Sequence, residues 1–199
     1  MNSKLKFLGL VLGGALLMSG CSKQVSKPTS WTPDKTPYET RECNQQLRIG
    51  QELKGEKIDK IVVYKGKRTL TAYHDGKMVH SFKMSLGKNA DKGNKVKAGD
   101  YRTPEGQYKI VRKKCDNRLY KSLMISYPNA SDRARARSNG VRPGGYITIH
   151  GQPKWNATGR GDKYTLSRDW TEGCMAVPNR AMDILWAAVR NGVSVEIHR

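Results

Sequence analysis

The stretch IDKIVVYKGKRTLTAYHDGKMVHSFKMSLG, residues 58–87, decides the expected fold. Its first two segments, IDKIVVYKG and RTLTAYHDG, alternate apolar and polar residues, a pattern typical of strands with one buried face. The third segment, KMVHSFKMSLG, follows directly after His74-Asp75-Gly76, and an Asp-Gly pair is a strong hairpin signal. The stretch therefore predicts a β-meander.

More strand-like segments follow this meander. QYKIVRK comes after the loop AGDYRTPEG, GGYITIHG runs into a glycine turn, and VSVEIH ends just before the last residue of the chain. Two helices interrupt them. Residues 129–138 are helix-like with Asn129 as the N-cap, and a second helix should begin at a cap on Asn179 and end at Gly192. A short helix is also expected over residues 40–53, so the fold class is mostly β with a few helices, that is, α+β.

The chain begins with features of an export signal. A basic MNSKLK precedes the apolar run FLGLVLGGALLM, which is short for a permanent membrane helix and typical of a signal peptide. An uncleaved anchor is the alternative. The following MSGC resembles a bacterial lipobox, in which Cys21 would be lipidated and become the mature N-terminus. We therefore predict a signal peptide at 1–20, a polar membrane-proximal linker at 21–57 and a folded domain at 58–199.

The predicted location limits the partners that the charge suggests. The chain carries a formal net charge of +20, which favours a polyanionic partner. Nucleic acid would be the usual candidate, but an exported protein meets anionic lipid or the carboxylate-bearing cell wall instead. A solvated basic surface without a specific partner is the alternative. We expect a monomeric lipoprotein that faces the periplasm, at the outer membrane where the cell has one, and no nucleic acid partner.

The expected lipidation of Cys21 leaves an odd number of cysteines for disulfide bonds. With Cys21 lipidated, three remain, and outside the cytoplasm free thiols tend to be oxidised. A Cys43–Cys115 disulfide would leave Cys174 as a free thiol, although pairing cannot be read from sequence alone. Cys174 could then be a nucleophile or a buried structural cysteine. Zinc needs clustered ligands, which Cys174 lacks in the sequence, so we expect neither a metal nor a cofactor.

Four histidines could serve as a base beside this thiol. His74, His80 and His198 lie in a turn, on an alternating strand and near the C-terminus, and we interpret them as surface or structural residues. His150 ends the apolar strand ITIH, and Gly151 lets the chain turn at once. A histidine at such a strand end can face a cleft, or it can be a hydrogen-bonded structural residue.

The segments around these two residues resemble a known family. His150-Gly151, a loop of about twenty residues and then DWTEGCMAV are similar to the signature of the YkuD-type L,D-transpeptidases, which have a strand-end His-Gly followed by Ser/Thr-His-Gly-Cys. The similarity extends through KGKRTLTAYHDGK, GDYRTPEGQYKI and ISYPNASD. This form looks like the branch that includes the YafK-like murein enzymes. The resemblance implies a YkuD-like β-sandwich or mixed sheet with a helix after the cysteine.

The resemblance also implies a mechanism. Cys174 would attack the carbonyl of an L,D bond in a peptidoglycan stem peptide, and His150 would act as its general base. The backbone N–H groups of Gly173 and Cys174 would form the oxyanion hole, and a backbone carbonyl would orient His150. Gly151, Thr171 and Asp169 are expected to support the site, with ordinary turn and cap residues as the alternative for Thr171 and Asp169.

Several alternatives stay open at this level. The acyl acceptor could be a second stem peptide, a protein lysine or water, the last giving an L,D-carboxypeptidase or amidase. A non-catalytic wall-binding lipoprotein is a further alternative. Glu172 and Ala176 depart from the commonest family pattern, so specificity should differ there. Arg133, Arg135 and Arg137 could bind substrate carboxylates or simply form a solvated helix face.

Overall fold

The computed structural model of the protein describes residue 43 and residues 57–115 and 118–199. The expected signal peptide, the lipidation of Cys21 and the helix expected over residues 40–53, apart from Cys43, lie outside these residues. In the described part of the chain, no helix combines the length and the apolar character needed to cross a membrane.

The described residues contain eight strands. They are β1 (Ile58–Tyr64), β2 (Thr69–His74), β3 (Lys77–Lys83), β4 (Gly106–Lys114), β5 (Ser122–Ile125), β6 (Thr148–His150), β7 (Met175–Ala176) and β8 (Val189–His198). Three α-helices accompany them, α1 (Ala130–Ser138), α2 (Asp162–Thr165) and α3 (Asn179–Ala188), with two 3-10 turns at Ala90–Lys92 and Lys154–Asn156. The predicted class, mostly β with a few helices, is confirmed.

The strands form one mixed sheet in the order β3-β2-β1-β8-β4-β5-β6-β7. Two pairs are parallel, β1 with β8 and β6 with β7, and the other pairs are antiparallel. Ile61, Val62 and Val63 are consecutive in β1 and all buried, so this central strand is covered on both faces. The pairing of β1 with β8 joins the first strand to the last and brings the two ends of the domain together.

The predicted meander is present. β1, β2 and β3 pair in sequence as antiparallel neighbours. The two residues between β2 and β3, Asp75 and Gly76, have φ values of 48° and 75°. A two-residue hairpin of type I′ needs positive φ at both positions, and Asp-Gly supplies it with little strain. The Asp-Gly pair therefore predicted the hairpin because its residues can adopt the φ values that this turn needs.

The two helices predicted within the described residues differ in how well the sequence located their ends. Asn129 caps α1, because its side chain accepts a hydrogen bond from the backbone N–H of Asp132 and the Asp132 carboxylate accepts from the N–H of Asn129. The prediction that Asn179 caps the later helix is wrong. Pro178 holds the cap position of α3, and Asn179 is its first helical residue.

The end of α3 was also placed too late. The helix stops at Ala188, and β8 begins at the next residue. Gly192 lies inside β8 with a φ of 91°, where the register against β1 shifts. The glycine thus permits an irregularity in the strand instead of ending the helix.

The expected disulfide is present in the structure between Cys43 and Cys115. Cys43 is buried in the hydrophobic core, and Cys115, just after β4, packs against that core. The bond therefore attaches a residue that precedes β1 to the interior of the domain.

Candidate active site

His150 and Cys174 meet because β6 and β7 are neighbours. The two strands pair in parallel, with Ile149 opposite Met175 and His150 opposite Ala176. His150 is the last residue of β6, and Cys174 comes directly before β7. Both residues line one cleft of about 600 Å³, so the two candidates from the sequence share a single site.

The sulfur of Cys174 is surrounded by polar groups from the chain just before His150. The backbone N–H of Thr148 donates to Sγ at 3.4 Å, and the Thr148 hydroxyl lies 3.5 Å from Sγ. On the acceptor side, the carbonyl oxygen of Tyr146 lies 3.6 Å from Sγ. Cys174 is partly exposed, so a ligand in the cleft can reach the sulfur.

The imidazole of His150 is fixed by its neighbours. Its Nδ1 lies 2.7 Å from the carbonyl oxygen of Gly151, and the residue is buried. Because a carbonyl only accepts hydrogen bonds, Nδ1 carries the hydrogen and Nε2 of the neutral ring keeps a lone pair for a proton. The Trp170 ring contacts the imidazole edge-on at 5.7 Å between centroids. The predicted orienting group, a backbone carbonyl, is thus in place.

The surroundings favour the thiolate. Burial alone would raise the pKa of the Cys174 thiol, but the hydrogen bond and positive charge of His150 oppose it, and the two Thr148 donors add to their effect. The pKa therefore lies below the usual value for cysteine. Since the thiolate is the reactive form, this lowering is what a nucleophilic role requires.

The loop before Cys174 is held at Asp169. The Asp169 carboxylate accepts hydrogen bonds from the Arg68 guanidinium, the closest at 2.6 Å, and from the backbone N–H of Leu86 at 2.9 Å. Two residues later, Thr171 exchanges backbone hydrogen bonds with Leu86 and Lys88, both at 3.0 Å. The loop is therefore attached to the chain after β3 at two points on either side of Trp170.

Thr171 also closes the turn that presents the cysteine. Its hydroxyl donates to the carbonyl oxygen of Cys174 at 2.7 Å and accepts the N–H of Gly173 at 3.2 Å. The Gly173 N–H, one of the two expected oxyanion donors, is thus engaged within the turn. It would have to leave Thr171 before donating to a substrate, and the oxyanion roles of Gly173 and Cys174 stay predictions.

Glycine is required on both sides of the site. Gly173 has a φ of 129°, and a Cβ there would lie 2.7 Å from the carbonyl oxygen of Arg102. A Cβ on Gly151 would lie 2.6 Å from Oδ1 of Asn179. That oxygen accepts the N–H of Gln152 at 2.7 Å, so Asn179 braces the chain after His150 instead of capping α3. Larger residues at either glycine would displace the chain next to His150 or Cys174.

Glu172 and Ala176, the two departures from the commonest family pattern, lie in different surroundings. Glu172 is exposed and lines the cleft, together with Lys88 and Arg118. Ala176, by contrast, is fully buried, where it pairs with His150 and with Ser85. The effect of either residue on specificity stays a prediction.

The three arginines of α1 are not among the residues that line this cleft. Arg135 pairs with Asp132 and donates to the carbonyl oxygen of Lys95, and Arg133 donates to the carbonyl oxygen of Pro128. Arg137 is exposed. Arg133 and Arg135 thus have local partners, as structural residues of a helix do.

Sequence reasoning missed three residues that contact His150 or Cys174, namely Thr148, Trp170 and Tyr146. The strand period could have found Thr148. Residues two apart in a strand point to the same face, so the side chains of Thr148 and His150 should lie together. Trp170 and Tyr146 lie in irregular chain, where no periodic signal exists.

The site combines a thiol of lowered pKa with a histidine that a backbone carbonyl orients. This geometry is that of a cysteine–histidine nucleophile site. The particular family follows from comparison with known proteins. The YkuD family, the L,D-transpeptidase catalytic domain, matches residues 58–197, and the chain belongs to this family.

One curated relative is YafK of Escherichia coli K12, whose name describes it provisionally as an L,D-transpeptidase. It is 35% identical over 145 residues, which are 70% of this chain and 50% of YafK. The chain spans about half the length of the curated relatives it matches.

Two solved structures share the fold. Bd1075 of Bdellovibrio bacteriovorus superposes with a TM-score of 0.52 at 22% identity, over 72% of this chain and 48% of Bd1075. A variant of the helical cell shape determining protein Pgp2 of Campylobacter jejuni gives 0.51 at 21% identity, over 80% of this chain and 55% of Pgp2.

Proposed function

We propose that this protein is a cysteine acyltransferase that acts on peptidoglycan stem peptides, as an L,D-transpeptidase. Membership of the family supports a reaction on peptidoglycan. The observation that carries the proposal for this chain is the Cys174 sulfur, partly exposed in a cleft and with its pKa lowered mainly by His150 against the opposing effect of burial.

In the first step Cys174 attacks the carbonyl carbon of the L,D bond. The thiol proton passes to Nε2 of His150, which then gives it to the nitrogen of the departing D-amino acid. A thioester forms between Sγ and the stem peptide, and the C–N bond breaks. The Cys174 N–H is the main candidate to donate to the oxyanion, because the Gly173 N–H is already held by Thr171.

In the second step an acceptor breaks the thioester. An amine from a second stem peptide would give a cross-link, an amine of a protein lysine would anchor that protein, and water would release the peptide. His150 takes a proton from the attacking group, and the Cys174 thiolate leaves. Glu172 lines the cleft beside the basic side chains of Lys88, Lys95 and Arg118, so its charge alone does not select among these acceptors.

Purified muropeptides with tetrapeptide stems test this function. The protein should release the terminal D-amino acid, and an added amine should appear in a new peptide product, both followed by mass spectrometry. The Cys174→Ala variant is the matched control and should do neither. Release of the D-amino acid with no amine product would show an L,D-carboxypeptidase instead, and binding of muropeptides without any release would show the wall-binding alternative.

We also propose that the protein acts outside the cytoplasm, attached to a membrane through a lipid on Cys21. The apolar run and the MSGC segment of the sequence support this location. Cells that express the Cys21→Ala variant should release the domain from the membrane fraction. If the variant and the wild type are equally membrane-bound, a lipid on Cys21 is not the anchor.

A further inference from the structure

We propose that Thr148 is a third catalytic residue, whose side-chain hydroxyl holds the sulfur of Cys174 in its thiolate form. The inference deepens the proposed function and rests on it, because it concerns the same sulfur. It starts from a contact that the family signature does not contain, since the signature residues are the His-Gly pair and the loop that ends in Gly-Cys.

The strand geometry places Thr148 against the sulfur. The ladder between β6 and β7 begins with Ile149 opposite Met175. Cys174 is the residue before Met175, so in parallel register it lies beside Thr148. Both donors of Thr148 then reach Sγ, the N–H at 3.4 Å and the hydroxyl at 3.5 Å. On the other side Thr148 pairs with Met124 of β5, which fixes its backbone within the sheet.

The Thr148 hydroxyl lies at a buried position, where a hydrogen bond to a charged sulfur has its largest effect. Thr148 is 8% exposed, so its side chain is largely shielded from water. A hydrogen bond to an ionised group is stronger than one to a neutral group, and low local dielectric strengthens it further. The hydroxyl therefore stabilises the thiolate more than the thiol.

A neighbouring acceptor makes this donor necessary. The carbonyl oxygen of Tyr146 lies 3.6 Å from the sulfur, where it can accept the hydrogen of the neutral thiol. Once that hydrogen moves to His150, the same oxygen faces a negative sulfur and disfavours it. The two donors of Thr148 offset this effect. They also stabilise the thiolate when it leaves the thioester, so the hydroxyl assists both steps.

Alkylation of Cys174, the one free thiol among the described residues, tests the role of the hydroxyl without any substrate. The rate of reaction with iodoacetamide is followed from pH 5 to pH 10, and its midpoint reports the pKa of Cys174. Thr148→Val keeps the shape and the backbone N–H but loses the hydroxyl, and the midpoint should rise by about 0.5–1 pH unit. Thr148→Ser keeps the hydroxyl and should stay near the wild-type midpoint.

The chain offers a matched control in Thr71, a buried threonine on β2. Thr71→Val makes the same change elsewhere in the sheet and should leave the midpoint unchanged. Thr148→Ala removes the same hydroxyl with a smaller side chain and should give the same upward shift, should the valine variant fail to fold. The proposal is overturned if the hydroxyl-free variant titrates like the wild type, or if serine shifts the midpoint as far as valine does.

This result is separate from the test of the proposed function. A raised midpoint in Thr148→Val supports the role of the hydroxyl even when muropeptides are not converted, and that second outcome would overturn only the proposed function. Conversion of muropeptides with an unchanged midpoint would overturn only the role of Thr148.

Discussion

At the scale of single residues, the reactivity of Cys174 depends on a balance of opposing effects. Burial raises the pKa of its thiol, while His150 and then Thr148 lower it, and the lowering prevails. The sequence alone suggested His150 because a strand-end histidine before glycine can face a cleft. It did not indicate Thr148, whose contribution depends on a contact across neighbouring strands.

Replacing His150 by glutamine should shift this balance. His150→Gln removes the positive charge that favours the thiolate, so the alkylation midpoint of Cys174 should rise by about 1 pH unit or more, towards or above that of an ordinary cysteine. The rate near neutral pH should fall about tenfold. Iodoacetamide labelling across pH measures both, and an unchanged midpoint would contradict the assignment of His150 as the base that activates Cys174.

At the scale of elements, the loop over residues 169–174 depends on its attachment through Asp169. Asp169→Asn keeps the shape but loses the charge that binds Arg68 and weakens the acceptor of the Leu86 N–H. The variant should lose about 1–2 kcal/mol of stability in urea unfolding, because charge-assisted hydrogen bonds of partly buried groups contribute about that much.

A second carboxylate that pairs with Arg68 provides the control variant for this loop. Arg68 also pairs with Asp91, whose side chain is 79% exposed. Exposed ion pairs add little, so Asp91→Asn should change stability by less than about 0.5 kcal/mol. Equal effects of the two variants would argue against a specific role of Asp169 in holding the loop.

A second element, the loop over residues 95–102, should make the protein sensitive to acid. Burial would raise the pKa of Asp100, but hydrogen bonds from Lys95 and from the backbone N–H groups of Lys97, Val96 and Arg102 lower it below its usual value. The folded state therefore gains stability above the pKa of an unfolded aspartate, about 3.9, and loses it as the pH falls through the lower folded value.

Urea unfolding at several pH values measures this effect. Wild-type stability should decline between about pH 5 and pH 2, and Asp100→Asn should show a smaller decline, with lower stability at pH 7. Parallel curves for the two proteins would mean that Asp100 does not contribute to the acid response.

Strands were easier to predict than the boundaries of the last helix. The strand period and the Asp75-Gly76 turn depend on local physics, so the meander could be read directly from the sequence. Asn179 and Gly192 carry the usual signals of a cap and a helix end. Their actual roles depend on tertiary contacts, with Gln152 for Asn179 and with the shifted β1–β8 register for Gly192.

At the scale of the whole molecule, the parallel pairing of β1 with β8 joins the first strand of the sheet to the last, which no local pattern reveals. The sequence predicted the class and six of the eight described strands, but neither the short β5 and β7 nor this order, because pairing between residues about 130 positions apart leaves no periodic trace. The site depends on the same kind of contact, since residues 151–174 separate β6 from β7 along the chain.

The disulfide adds a further long-range constraint. Cys43 and Cys115 are 72 residues apart in the sequence. Replacing both by alanine should reduce the free energy of unfolding by about 2–4 kcal/mol, because the cross-link restricts the unfolded chain. Urea unfolding measures this change, and alkylation of Cys174 in the folded variant is the control for an intact site. An unchanged unfolding midpoint would show that the bond does not stabilise the domain.

The central claim is that Cys174, activated by His150, is an acyl-accepting nucleophile. Intact-protein mass spectrometry after incubation with a carbapenem tests it most directly, because a thiolate that opens the strained lactam retains the drug on the protein. We expect the folded, reduced wild-type domain to gain the mass of one drug molecule, His150→Gln to gain it much more slowly and Cys174→Ala not to gain it. A wild-type protein without an adduct, or an equal adduct on Cys174→Ala, would contradict the account.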